Sequence, residues 1–208
     1  MSATPSRLEQ LRARPSRDGA ARHFYRDFGF DTDAVKVLPG EHFVDNVEIM
    51  IVTVLGSCIA ACLHDRVARV GGMNHFMLPD GGGEVSGRYG AYAMELLINE
   101  LLKRGAQRSR LEAKIFGGGR VMQNFTAINI GEQNAQFVER FLAAERIPIV
   151  SRDVLDVHPR KVCFFPVSGR ALVKKLAAAS ADPALAEERS YRQRVVQQAP
   201  AAGSVELF

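Results

Sequence analysis

Apolar positions along this chain follow two different periods, and the switch between them separates strands from helices. "AVKVLPGEHFVDN" reads as a short strand running into a turn at Pro39 and Gly40. "VEIMIVTVLGSC" is a mostly β-branched run of the kind that forms a buried strand, and "IAACLHD" and "VARVGGMNHFMLP" predict two more strands around a polar turn at Asp65 and Arg66. "PDGGGEVSG" is too rich in glycine for a regular element and reads as a loop. The period then lengthens. In "RYGAYAMELLINELLKRG" the residues Tyr89, Tyr92, Ala93, Leu96, Leu97 and Leu101 recur at helical spacing, Lys103 and Arg104 fill the last turn, and Gly105 ends it. "LEAKIFGGG" returns to a strand that stops in a triple-glycine turn. A second helix is expected from about Asn129, with Glu132 placed as in a capping box and Phe137, Val138, Phe141 and Leu142 as its buried stripe. "IPIVSRDV", "KVCFFPV" and "ALVKKL" supply the remaining strands.

The ends of the chain lack such patterning. Residues 1–22 read as a mobile basic arm, 23–177 as the folded domain, and 178–208 as an Ala-rich tail whose last residues, "VELF", are either a frayed end or a docking peptide. A chain of 208 residues with 47% hydrophobic content is expected to build one good core. No apolar run approaches the ~18 residues of a membrane-spanning helix, and the arginines near the start precede no apolar segment of a secretory signal. Three cysteines without framework spacing favour a reducing compartment over a disulfide scaffold. The net charge of +4 is spread among acids, so even the densest basic segment, "RLEQLRARPSR", reads as a solvated arm, and no nucleic-acid partner is expected.

The candidate chemistry lies in "TVLGSCIAACLHDRVARVGGMNHFMLPDGGG". Gly56 lets the backbone approach a ligand closely just before Cys58. Free N–H groups around Ser57 and Cys58 can hold an oxyanion, a neighbouring imidazole can keep the thiol ionised, and Asn74 can assist from its side chain. His75 lies on a strand able to pair with the one after Cys58, and Thr53 can orient its ring. Pattern alone leaves three readings open: nucleophile and base, metal ligands, or inert core. For Cys62 and Cys163 the core reading is taken. Cys58, Cys62, His64 and His75 are ligand types, but in an extended strand the two cysteines stand about 13 Å apart at ~3.3 Å per residue. Zinc needs its ligands within ~2.3 Å of one centre, so no metal is expected. "FGGGR" lacks the ending of a phosphate loop, and its glycines are better explained as a turn beside a crowded site.

Six segments taken in order, "KVLPGEHFV", "TVLGSCIAACLHD", "GGMNHFMLP", "LEAKIFGGG", "NIGEQNAQFV" and "PRKVCFFPVSGRALVKKL", resemble the CheD family of chemoreceptor glutamine deamidases. The resemblance runs from about residue 24 to 177. It implies an α/β fold of packed mixed β-sheets flanked by helices, similar to toxin-type cysteine deamidases. It also implies a cytoplasmic hydrolase that needs no cofactor and converts glutamines of methyl-accepting chemotaxis receptors to glutamate. Some members also hydrolyse glutamyl methyl esters, and some bind a CheC-type phosphatase. The family nucleophile maps onto Cys58, its histidine onto His75 and, less directly, its threonine onto Thr53. One departure is Leu155 and Asp156, where some relatives carry a glycine pair. The competing expectations are a non-catalytic adaptor for receptors or a phosphatase, and a cysteine protease or transglutaminase-like enzyme.

Overall fold

The computed structural model describes residues 5–15, 17–78, 83–121, 130–177, 183, 185–191 and 193–194, with residues 83–88 described as backbone only. Among the described residues, ten strands form two five-stranded mixed sheets. The first holds β1 (His23–Asp27), β2 (Thr32–Lys36), β4 (Met50–Leu55), β9 (Arg160–Phe164) and β10 (Ala171–Lys175), in that spatial order. The second holds β3 (His42–Asp45), β6 (Val70–Asn74), β5 (Ile59–Asp65), β7 (Leu111–Gly117) and β8 (Ile149–Val154). Parallel pairs occur once in each sheet, β2 with β4 and β7 with β8. The expected α/β class of packed mixed sheets flanked by helices is what the chain forms.

Strand alternation sorts the side chains into two cores. Ala60 and Cys62 of β5, with Met73 of β6, meet Ile51 and Leu55 of β4 and Val162 and Phe164 of β9 between the sheets. Ile59, Ala61 and Leu63 of β5 point the other way, onto α2 (Gly83–Leu102) and α3 (Ile130–Ala144) through Met94, Leu97, Ile98, Val138 and Leu142. The molecule is therefore layered sheet, sheet, helices. This layering fixes where a side chain at either end of β5 can point.

Some local expectations change. Helix α2 begins at Gly83, so the second half of "PDGGGEVSG" is helical, while residues 79–82 lie outside the described residues. Its buried face is Gly90, Met94, Leu97, Ile98 and Leu101, a true helical stripe, and this leaves Tyr92 55% exposed on the opposite side. The cap expected at Asn129 and the terminal "VELF" also lie outside the described residues. Within the basic N-terminal segment, α1 (Arg7–Ala13) closes a capping box between Ser6 and Glu9 and buries Leu11 in the core. Arg7 and Arg14 pair with the buried carboxylate of Asp45. Residues 185–191, in the stretch read as an Ala-rich tail, are helical wherever described.

Candidate active site

Cys58 sits in the three-residue link Gly56-Ser57-Cys58 that carries the chain from β4 in one sheet to β5 in the other. Immediately after it, Ile59 and Phe76 exchange both of their backbone hydrogen bonds. Directly opposed residues share a face, so Cys58 and His75, each one step before that pair, share the other face as diagonal neighbours. Phe76 belongs to the sheet–helix core, and Met73 and Met77 to the core between sheets. His75 and Cys58 therefore point between the sheets, where Thr53 of β4 also points, in phase with Ile51 and Leu55. All three side chains are essentially buried.

Hydrogen bonding fixes the form of the imidazole. The Thr53 hydroxyl lies 2.8 Å from the Val37 carbonyl and 2.8 Å from His75 Nδ1. A carbonyl can only accept, so the hydroxyl proton goes to Val37 and Oγ1 accepts from Nδ1–H. In the neutral ring Nε2 then carries the free lone pair, as a base requires. Nε2 is buried without a hydrogen-bond partner among the described residues. Its nearest acid is Glu188, at 3.7 Å, a charge contact longer than a hydrogen bond.

Glu188 is the residue that sequence reasoning missed. It comes from the C-terminal helical segment, is 2% exposed, and sits against the Gly-Ser-Cys link. One carboxylate oxygen accepts from the Gly56 N–H at 2.7 Å, and the other accepts from the Ser57 N–H at 3.0 Å and the Ser57 hydroxyl at 3.3 Å. The Cys58 sulfur, an imidazole nitrogen of His75 and a Glu188 oxygen all lie within 4.8 Å of one another. Burial pushes the Cys58 thiol well above its ordinary range, and the adjacent Glu188 carboxylate pushes it further. Burial alone would raise the Glu188 pKa, but the His75 ring, the Gly56 N–H and the Cys58 thiol together hold it below the ordinary carboxylate value. No sequence periodicity pointed to this residue, because its segment is short and mostly alanine and charge.

Cys58, His75 and Glu188 are also the only grouping of three potential metal ligands among the described residues. Their surroundings suit an anion instead. Two N–H dipoles and a hydroxyl converge on the carboxylate position, and a cation near that point would face the same dipoles. Cys62 is a core residue, and His64 hydrogen-bonds the Val167 carbonyl, so neither reaches this centre.

Asn74, expected beside the oxyanion, is turned away by strand alternation. Its carbonyl accepts from Ala61 N–H at 3.0 Å and its amide donates to the Ala93 carbonyl at 3.1 Å, tying the sheet to α2. The amide that braces the site is Asn134 on α3, fully buried, which donates to the Ser57 carbonyl and accepts from Leu78 N–H, each at 2.8 Å. A polar residue one turn before Val138, in line with the apolar stripe, was the available signal.

The triple glycine holds the same link from below. Gly118 N–H donates to the Cys58 carbonyl and Gly119 N–H to the Gly56 carbonyl, both at 2.7 Å. Gly117 has φ +107 and comes so near the Cys58 carbonyl that any Cβ would overlap it. Leu155 N–H donates back to the Gly117 carbonyl and Arg120 N–H to the Asp156 carbonyl, each at 2.8 Å. Leu155 and Asp156, the residues standing where some relatives carry glycines, adopt φ 66 and φ 70. A side chain in this region costs ~1–2 kcal/mol, against ~0.5–1 kcal/mol for the looser unfolded chain of glycine. Leu155→Gly is therefore expected to raise stability by roughly 0.5–1 kcal/mol. Thermal or urea unfolding checks this, and a destabilised variant would contradict it.

Comparison with known proteins adds family context. Residues 77–175 match the family described as "CheD chemotactic sensory transduction". "Probable chemoreceptor glutamine deamidase CheD 1" of Albidiferax ferrireducens is 58% identical over 98% of this chain and 87% of its own length. The proteins named "Probable chemoreceptor glutamine deamidase CheD" in Janthinobacterium sp. (strain Marseille) and Thiobacillus denitrificans are each 55% identical over 90% of this chain, covering 95% and 96% of their own lengths. The match to residues 77–175 begins just past His75, whereas the Albidiferax alignment spans 204 residues and takes in the whole site.

Proposed function

The chain belongs to the CheD family, and from that premise we propose that it is a chemoreceptor glutamine deamidase acting through a Cys58–His75–Thr53 site. The observation that carries the reading is a buried thiol and an oriented imidazole beside two backbone N–H groups already aimed at one carboxyl group. Those donors occupy the place where an amide oxygen becomes an oxyanion.

In this mechanism His75 Nε2 takes the thiol proton, and the Cys58 sulfur attacks the amide carbon of a receptor glutamine. The oxyanion is held by one backbone N–H of the Gly56–Ser57 pair, and such a donor is worth ~3 kcal/mol at a site of this kind. The imidazolium then protonates the leaving nitrogen, ammonia departs, and a thioester remains. Water, deprotonated by the same Nε2, releases glutamate and restores the thiol. A glutamyl methyl ester can follow the same course with methanol leaving. The substrate is the cytoplasmic helical region of methyl-accepting receptors, which places the enzyme in the cytoplasm; no described helix is long and apolar enough to cross a membrane. Residues 23–177 form the catalytic unit, and a CheC-type phosphatase is the partner the family suggests.

The test is intact-mass analysis of a purified receptor cytoplasmic fragment incubated with the protein, alongside an ammonia assay. A gain of about one dalton per site with matching ammonia release is the expected result of amide hydrolysis. Binding without any mass change would favour the adaptor, and peptide cleavage or amine incorporation would favour the protease or transglutaminase readings.

A further inference from the structure

The helical segment 185–191 does more than close the chain. Leu185, Glu188 and Tyr191 recur at helical spacing, and all three are buried while Ala186, Arg189 and Ser190 are exposed. Leu185 reaches the Gly56 backbone, where a Cβ would come within 2.5 Å of it, and Tyr191 covers Gly40 in the same way. Glu187 pairs with Lys36 at 2.8 Å. Between these contacts Glu188 extends into the site and places a γ-carboxylate on the Gly56 and Ser57 N–H groups, beside the Cys58 sulfur. Chemically this is a glutamate side chain, presented by a helix, bound where the reaction would leave its product.

We infer that residues 185–191 are an internal product mimic: they fill the substrate subsite with the Glu188 side chain and must withdraw before a receptor helix can enter. This rests on the deamidase reading and deepens it in two respects. It identifies the glutamyl subsite as Gly56 N–H, Ser57 N–H and the Ser57 hydroxyl, and it gives the site an occupant that any substrate competes with. The competition is intramolecular, so the tail acts at a high effective concentration, and receptor affinity is reduced by the fraction of molecules in which the tail is out.

The inference makes the enzyme a substrate of itself once the mimic carries an amide. In Glu188→Gln the Cys58 sulfur would bond to the side-chain carbonyl carbon at position 188, the C–N bond would break, and nitrogen would leave as ammonia with the imidazolium proton. Water would then add to the thioester, returning a glutamate and the thiol. Peptide mass spectrometry of the full-length variant is therefore expected to read glutamate at position 188, about one dalton heavier than the gene encodes. Glu188→Gln combined with Cys58→Ala is expected to keep its glutamine. In parallel, full-length Glu188→Ala is expected to deamidate a receptor fragment about tenfold faster than wild type at subsaturating fragment. Alkylation of its Cys58 by iodoacetamide should also be faster and should begin at lower pH.

A glutamine that persists at position 188, in a preparation that deamidates the receptor fragment, overturns the inference and leaves the function standing. So does a Glu188→Ala variant no faster than wild type. If neither position 188 nor the receptor fragment is deamidated, the deamidase reading falls and takes the inference with it.

Discussion

Replacing Cys58 by serine is expected to lower deamidation of a receptor fragment by at least about 10⁴-fold while leaving the fold and receptor binding intact. The sulfur is fully buried at the link between the sheets, and serine fills nearly the same volume. The Gly118 bond to the Cys58 carbonyl uses backbone alone, so the loop keeps its shape. What changes is the nucleophile. Serine's hydroxyl is far less acidic than a thiol and so yields its proton to the imidazole much less readily, and His75 is oriented by a hydroxyl rather than by a carboxylate able to stabilise the imidazolium. Ammonia release from the receptor fragment measures the rate, and thermal unfolding checks the fold. A variant that unfolds at the wild-type temperature and keeps more than about a hundredth of the wild-type rate would remove Cys58 from the chemistry.

The strands that hold Thr53 and flank Cys58 and His75 could be read from the sequence because buried strands leave β-branched runs with short turns between them. Their convergence follows from parity. Given the Ile59–Phe76 pairing, residues 58 and 75 must share a face, and that face must look toward β4. The same parity turns Asn74, whose place beside His75 along the chain suggests a helper at the oxyanion, away from the site. Two further contributions stayed hidden for physical reasons. The sites of Asn134 and Glu188 are made by tertiary contact across 77 and 131 residues, and hydrophobic periodicity carries no information at that range. Residues 185–191 have too little apolar content to announce a helix, since only Leu185 and Tyr191 are large and apolar. Their order comes from contacts made by the two acids between them, Glu187 on Lys36 and Glu188 on the Gly56 and Ser57 N–H groups. Likewise the segment around α1, which looks like a solvated arm, is anchored by Leu11 in the core and by Arg7 and Arg14 on the buried Asp45 carboxylate.

His75→Asn is expected to lower kcat by about 10²–10⁴-fold, the range for losing a positioned general base and acid. Asparagine can keep a donor near the Nδ1 position, so the bond to Thr53 survives while Nε2 is lost. The pH profile separates this from damage to the fold. Without the imidazole, Cys58 must lose its proton to solvent, and burial between the sheets holds that thiol above its ordinary range. A thiol whose pKa is raised is protonated below that pKa and ionised above it. The residual activity of the variant should therefore climb with pH beyond the ordinary thiol range, where the wild type has already reached its plateau. Thr53 acts one step further back, as a positioning residue. Thr53→Val removes the acceptor that sets the Nδ1–H tautomer, and a ring displaced or flipped by about an ångström costs up to ~10²-fold. The loss should fall on kcat rather than KM, and Thr53→Ser, which keeps the hydroxyl between Val37 and His75, should recover most of it. If serine and valine were equally impaired, the contribution would lie in the methyl group and its contacts between the sheets, and the hydroxyl would not be what positions the His75 ring.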